Sequence, residues 1–334
     1  MLLPVPNAPT PKGRAAGGWE RERVVVIGCG FIGSNAVLEL AARGQPPIVL
    51  TRSKPHRDVL AAVAPEDLML GDITEGADLC DAIARARSVI YTAGGLLPAA
   101  SEDQPERDAE LTLAPLRAVL EAMRERPGAR LAYVSSGGTV YGQPERLPVG
   151  ETAPTRPVGS YGSLHLECER EIESNRAEHG LAARILRCST VYGRYQWPDR
   201  GQGAVTTFLH RIDRGMPIKL YGGGGTIRDY MYAGDVARVL ADLLDHEDGP
   251  RVLNVGAGEG TSLLELLREA ELQTGKQAVV EELGEREFDV HRIVLDTTRL
   301  RDMIGFEPTP LAAGMARTLA WLREVSSSIV ENTR

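Results

Sequence analysis

The sequence predicts an α/β protein, one large unit with a smaller lobe. Three observations carry this. Short β-branched runs alternate with longer segments of helical spacing from residue 24 onward. The first run, Val24–Ile27, breaks into Gly28-Cys29-Gly30-Phe31-Ile32-Gly33 and then into a helical segment, Ser34–Arg43, stopped by Gly44. Later runs end in small or hydroxyl-bearing residues, at the sheet edge where such folds bind ligands.

Taken in order, Val24–Ile27 is the kind of run that fills a strand buried on both faces. In the G-x-G-x-x-G that follows, Gly28 permits a tight turn, Gly30 lets backbone approach a pyrophosphate and Gly33 lets helix and strand pack closely. The N-terminus of the helix that follows offers free N–H groups, which favour an anion. A dinucleotide site is the reading. Pro47–Leu50 is a second strand, ending in Thr51-Arg52-Ser53. An acid here would select a free 2′-hydroxyl on the adenosine ribose. None is present, and Arg52 and Ser53 suit a 2′-phosphate, which favours NADP over NAD. Leu68–Leu70 is a short strand leading to Gly71-Asp72-Ile73, and Ser88–Tyr91 is another, entering Thr92-Ala93-Gly94-Gly95.

Ala109–Arg124 has apolar residues at helical spacing, and Leu131–Val134 is a buried strand opening into Ser135-Ser136-Gly137-Gly138-Thr139. A helix begins at Ser160-Tyr161 and runs to about Glu178; Tyr161 and His165 are four apart and share one face. Leu181–Ser189 is a further strand, and Ser262 with Glu265 forms a capping box that opens a later helix.

Composition bounds the function. The chain has 334 residues, 43% of them hydrophobic and 25% charged, as in ordinary globular proteins. A net charge of −8 argues against a general nucleic-acid binder, and no apolar run reaches the length of a membrane span. The proline-bearing residues 1–21 lack the pattern of a signal peptide and are expected to form a disordered tail. Four cysteines, Cys29, Cys80, Cys168 and Cys188, show no metal spacing; reduced thiols in a cytoplasmic protein, with no metal, are expected.

These motifs together resemble the extended short-chain dehydrogenase/reductase family, in its nucleotide-sugar branch of epimerases, dehydratases and ketoreductases. IGCGFIGS, GDIT, VIYTAGG, YVSSGGTVYG, SYGSLH, STVYG, GGGGTIRDYMYAGDVA, VLNVGAGEGTSLLEL and REFDVHRIVLDTTRLRDMIGFEPTPL match in order, from about Val24 to Leu322. The resemblance implies a doubly wound parallel-sheet Rossmann domain of about seven strands over residues 22–190 plus about 229–256, with a smaller C-terminal nucleotide-sugar lobe from about 191–228 plus 257–328. It implies NADP or NAD held at Gly28, Gly30, Phe31, Ile32, Gly33, Arg52, Ser53, Asp72, Ile73, Ala93 and Gly94. It implies a nucleotide sugar held at Thr190, Val205, Arg228 and Arg286, and catalysis by Tyr161 with His165, Ser136 and Thr139. A homodimer is the expected state.

The sequence departs from the family pattern where chemistry is concentrated. The usual tyrosine and lysine read Tyr161 and His165, and the usual serine or threonine partner of the tyrosine is Gly137. Tyrosine titrates near 10 and needs a nearby cation to act as a base; histidine, near 6.5, supplies less field. Reduction asks less, because tyrosine can start neutral and donate. Ketoreduction of an NDP-4-keto-hexose with NADPH is therefore the first expectation, and 4-epimerisation with retained NAD is the alternative. The acid pair of a 4,6-dehydratase is absent after Gly137. A non-catalytic nucleotide-binding member of the family is the remaining alternative.

Overall fold

The computed structural model describes residues 23–198, 203–246, 248–284 and 290–331. Seven parallel strands form the main sheet: β1 (Arg23–Ile27), β2 (Ile48–Thr51), β3 (Leu68–Leu70), β4 (Ala86–Tyr91), β5 (Arg130–Ser136), β6 (Ala182–Cys188) and β10 (Val252–Val255). Their order across the sheet is β10-β6-β5-β4-β1-β2-β3. The order reverses between β1 and β4, which opens a crevice at the C-terminal strand ends. The expected seven-stranded, doubly wound fold is the fold observed.

Each face of the sheet has its own core. On one, Val24, Val26 and Val49 meet α1 (Phe31–Ala42), α2 (Arg57–Ala62) and α8 (Ala233–Leu243) through Val37, Leu40, Val59, Val236 and Leu240. On the other, Val25, Ile27 and Val89 meet α3 (Ala77–Ala84), α5 (Pro105–Arg124) and α6 (Ser160–His179) through Ile83, Leu116, Leu120 and Ile172. The alternation of a strand's side chains explains why adjacent valines serve opposite cores. Helix α1 starts at Phe31, three residues ahead of the expected Ser34, because the second half of the glycine motif is itself the first helical turn.

The lobe is built from α7 (Ala204–Asp213), α9 (Leu263–Thr274), α11 (Leu311–Glu331) and the parallel pair β8 (Ile218–Tyr221) and β12 (Val280–Leu283). A three-stranded sheet of β7 (Thr190–Tyr192), β9 (Ile227–Tyr232) and β11 (Gly260–Ser262) joins it to the main sheet. One expected boundary is corrected. Helix α10 (Thr298–Ile304) falls within the span expected for the lobe, yet Leu300 and Phe306 are buried in the core of α1, α8 and β10. Their apolar side chains complete the sheet's covering, where α10 packs on β10.

A polar network ties together the β10 end of the sheet. Glu169 of α6 accepts from Arg187 of β6 through both carboxylate oxygens (2.6–3.1 Å) and from Ser135 of β5 (2.6 Å). Arg187 also donates to Tyr141, which donates to Asn254 of β10, whose amide in turn reaches the carbonyls of Val149 and Asp296. The side chains of Ser135, Tyr141, Glu169, Arg187 and Asn254 are all buried, so the network fixes β5, β6, β10 and α6 in register.

Candidate active site

The glycine turn is built as its sequence requires. Gly28 has φ +89°, and a Cβ there would stand 2.5 Å from the Ala93 nitrogen. A Cβ on Gly33 would stand 1.9 Å from the Gly28 carbonyl oxygen and 2.7 Å from the Thr92 hydroxyl, so helix and strand meet backbone to backbone. Around Gly30 there is open space instead. Helix α1 has no side-chain cap and no acidic residue in its first turn. Its orphan N–H groups thus face a cradle that a side chain on Gly30 would fill, which fits a dinucleotide pyrophosphate.

The remaining cofactor candidates are sorted by the structure. Arg52 and Ser53 are exposed at the end of β2. The Thr51 hydroxyl turns inward, accepting from the Cys29 amide (3.4 Å) and donating to the Ser53 carbonyl (3.4 Å). Thr51 therefore braces the glycine loop and is not available to a ribose. Asp72 is exposed and caps the turn after β3, accepting from the Thr74 amide (2.9 Å) and hydroxyl (2.7 Å). Those bonds, with Arg52 nearby, hold its carboxyl below the usual range. Gly94 is exposed and Ala93 half-buried beside Gly28. Two of these candidates carry large apolar side chains. The Ile73 side chain lies in the sheet core, and Phe31 packs into the lobe core, because both are large and apolar beside apolar neighbours. What either offers a cofactor is backbone.

Tyr161 and His165 stand on the first turns of α6. Gly162 seats that helix: a Cβ there would stand 3.0 Å from the Thr139 carbonyl oxygen and 2.9 Å from Pro157. Glu102 of α4 (Pro98–Asp103) accepts from the Ser160 amide at 2.7 Å and closes the helix end. The two rings meet edge to face with centroids 4.5 Å apart. Tyr133 of β5, the first residue of YVSSGGTVYG but not one of the candidate site residues, brings its hydroxyl to 3.3 Å from His165 Nδ1. One imidazole nitrogen is thereby engaged and Nε2 is left for a ligand. Burial pushes the Tyr161 phenol up to about 12 and the His165 imidazole down to about 4. Both shifts favour the uncharged form.

The hydroxyl partner is less well provided. The Thr139 hydroxyl donates to Ser136 Oγ at 2.8 Å and to the Ser136 carbonyl at 3.3 Å, so these two candidates pair with each other. Gly137 cannot carry the missing hydroxyl as the backbone stands: a Cβ would lie 2.7 Å from the Arg187 carbonyl oxygen and 2.8 Å from Leu295.

On the substrate side, Thr190 begins β7 half-buried, its hydroxyl 3.9 Å from where a Gly138 Cβ would stand. Arg228 lies on β9, half-buried, and donates to the Ile227 carbonyl at 3.1 Å. Val205 is corrected: its side chain is fully buried in the lobe core among Tyr192, Phe208 and Met315, so it shapes α7 and lines no open surface. Arg286 and the tail at 1–21 lie outside the described residues. No group of three or more His, Cys, Asp or Glu suited to a metal ion occurs among the described residues. No helix among them is long and apolar enough to cross a membrane.

A glycine cradle after the first strand, with a helix-borne tyrosine on the same sheet edge, defines the class of dinucleotide-dependent oxidoreductases. Residues 24–256 match the model of the NAD dependent epimerase/dehydratase family. The chain belongs to that family, in the nucleotide-sugar branch of the extended short-chain dehydrogenases/reductases. It is 31% identical over 334 residues to the UDP-glucose 4-epimerase of Azospirillum brasilense, covering 92% of this chain and 94% of that one. The UDP-glucose 4-epimerase of Thermus thermophilus, solved in complex with NAD, superposes with a TM-score of 0.81 at 31% identity over 90% of this chain and 99% of that one. The Thermotoga maritima UDP-glucose 4-epimerase, solved with UDP-glucose, gives 0.82 at 29% identity over 91% and 99%. The relatives thus favour the epimerase alternative over the ketoreduction expected first.

Proposed function

We propose that this enzyme interconverts an alcohol and a ketone on the hexose of a nucleotide sugar, as a 4-epimerase working with a tightly held NAD. The observation that carries the reading is the placement of Tyr161 on the sheet edge that also bears the glycine cradle, in a chain whose relatives are named for that reaction. The first-turn amides from Phe31 to Gly33 would hold the dinucleotide diphosphate, with Arg52, Ser53 and Asp72 at its adenosine end. When bound, the nicotinamide supplies reversible hydride exchange. Tyr161 takes and returns the proton on the sugar oxygen, and His165 Nε2 orients a ribose hydroxyl. Thr190 would meet the sugar and Arg228 its diphosphate, for which a guanidinium fork is suited. Arg228→Ala should raise the KM for nucleotide sugar and leave cofactor affinity, measured by calorimetry, unchanged. Free cysteines and a homodimer in a reducing cytoplasm belong to the same reading.

One observation favours the second reading, reduction of a 4-keto sugar by NADPH. Tyr161 is held as a phenol with no cation on α6 beside it, the starting state of a proton donor, and β2 ends without an acid. The test separates the two. Purified protein is given UDP-glucose or its C4 epimer without added cofactor, and separately a 4-keto-hexose nucleotide with NADPH. Interconversion in the first supports the epimerase; loss of reduced-nicotinamide absorbance in the second supports the reductase. Turnover of neither by protein that binds a nicotinamide dinucleotide overturns both.

A further inference from the structure

Tyr133 of β5 is buried to 1% exposure, and its ring stacks on Tyr91 of β4 with centroids 5.7 Å apart. The chemistry described above makes no use of its hydroxyl. That hydroxyl lies 3.3 Å from His165 Nδ1, the one nitrogen or oxygen it bonds among the described residues. With Tyr161 edge to face at 4.5 Å and Tyr133 tilted at 6.5 Å, the imidazole has aromatic neighbours that fix its plane. Three residues along α6 from His165, the Cys168 thiol meets the same hydroxyl. Burial favours the uncharged form of all three groups. The phenol thus has one proton to give, and a neutral imidazole has one nitrogen that donates and one that accepts.

We propose that Tyr133 is a positioning residue that fixes the tautomer of His165, so that the ring shows the dinucleotide an N–H at Nε2. The proposal rests on the reading of His165 as a ribose-binding group. Two arrangements fit the 3.3 Å contact, and they differ in cost. If Tyr133 donates to Nδ1, its oxygen can accept from the weak S–H donor of Cys168, and every proton has a partner. If Nδ1 donates instead, the buried phenol proton is left to the sulfur, a weak acceptor, and Nε2 is bare. A buried donor without a good acceptor is the costlier state. The first arrangement prevails. His165 then offers a ligand oxygen only a donor, with no bare nitrogen left to take a proton. Tyr161 alone moves the proton of the sugar, and His165 holds the ribose without competing as a base.

Nitrogen NMR of the purified protein, labelled at histidine and assigned by difference from His165→Gln, reads the tautomer directly. Nε2 of His165 should carry the proton and Nδ1 should not; the reverse overturns the proposal. Tyr133→Phe keeps the stacked ring and loses only the hydroxyl. It should replace the single tautomer by a mixture and weaken dinucleotide binding, measured by calorimetry, by about three- to tenfold, the range of one hydrogen bond. In a His165→Lys background, whose ammonium has no tautomers, the same Tyr133→Phe change should leave dinucleotide affinity unmoved. Unmoved affinity in the first background, or equal weakening in both, overturns the proposal. If His165→Lys does not fold, the tautomers of the wild type and of Tyr133→Phe decide alone. The expected tautomer and affinities in a protein that turns over no nucleotide sugar leave the proposal standing and remove the proposed reaction instead.

Discussion

Asp229 gives the sharpest prediction about stability. It lies on β9 at 0% exposure, and its oxygens accept from the amides of Ala257 (2.8 Å), Gly258 (3.2 Å) and Leu295 (3.2 Å). Burial still outweighs those bonds and pushes its carboxyl up to about 6, from an ordinary 3.8. The folded state therefore binds a proton more tightly than the unfolded chain does. Stability from this group is fully present below the ordinary value and is lost as pH rises through about 6. A gap of about two, at about 1.4 kcal/mol each, makes the loss about 3 kcal/mol. Asp229→Asn cannot ionise. Its amide nitrogen meets backbone donors where an oxygen accepted, at about 1–3 kcal/mol for each bond lost, and that penalty is the same at every pH. Urea denaturation of both proteins from about pH 4 to about pH 7 should show the variant gaining about 2 kcal/mol on the wild type, the rest of the loss lying below pH 4. A difference that stays constant across that range would refute the reasoning.

Three further outcomes follow from named contacts. Arg52→Asp should weaken NADPH more than NADH, by about 1.5–3 kcal/mol, through loss of a charge-assisted phosphate bond; equal loss for both would show that Arg52 does not read the 2′-phosphate. Tyr161→Phe should lower turnover by about 10²–10⁴ and leave dinucleotide affinity unchanged, because only the proton-moving hydroxyl is removed; turnover near the wild-type rate would take Tyr161 out of the chemistry. Glu169→Gln should cost about 3–5 kcal/mol, since it leaves the buried Arg187 guanidinium uncompensated, and a melting temperature equal to the wild type's would contradict that.

The sheet was legible because its cues are local. Each β-branched run, and each glycine in the turn after β1, declares its own conformation without reference to distant residues. Tyr161 and His165 were legible for the same reason, being four apart on one helix. What was missed depends on partners far along the chain. Tyr133 looks like any aromatic of a buried strand until α6 brings His165 Nδ1 against its hydroxyl. Val205 and Ile73 sit within motifs, but whether such a side chain faces a ligand or a core is decided by neighbours that sequence spacing does not identify. The placement of α10 was hidden similarly: Leu300 and Phe306 are apolar in a segment of lobe-like context, and only the open face of β10 and α8 claims them.

That placement bears on how the chain is made. Helix α1 emerges early, yet the surface that covers it comes from α8, and Arg43 bonds Asp242 across 199 residues of sequence. The last apolar pieces of the same face, Leu300 and Phe306, follow later still. During synthesis the first half of the sheet must wait with Val37 and Leu40 uncovered until nearly the whole polypeptide has left the ribosome. Pairing at such separations is slow and leaves apolar surface open to wrong partners. The glycine cradle thus cannot mature on a nascent fragment. A dinucleotide added during translation should find its binding surface only after the C-terminal third has arrived.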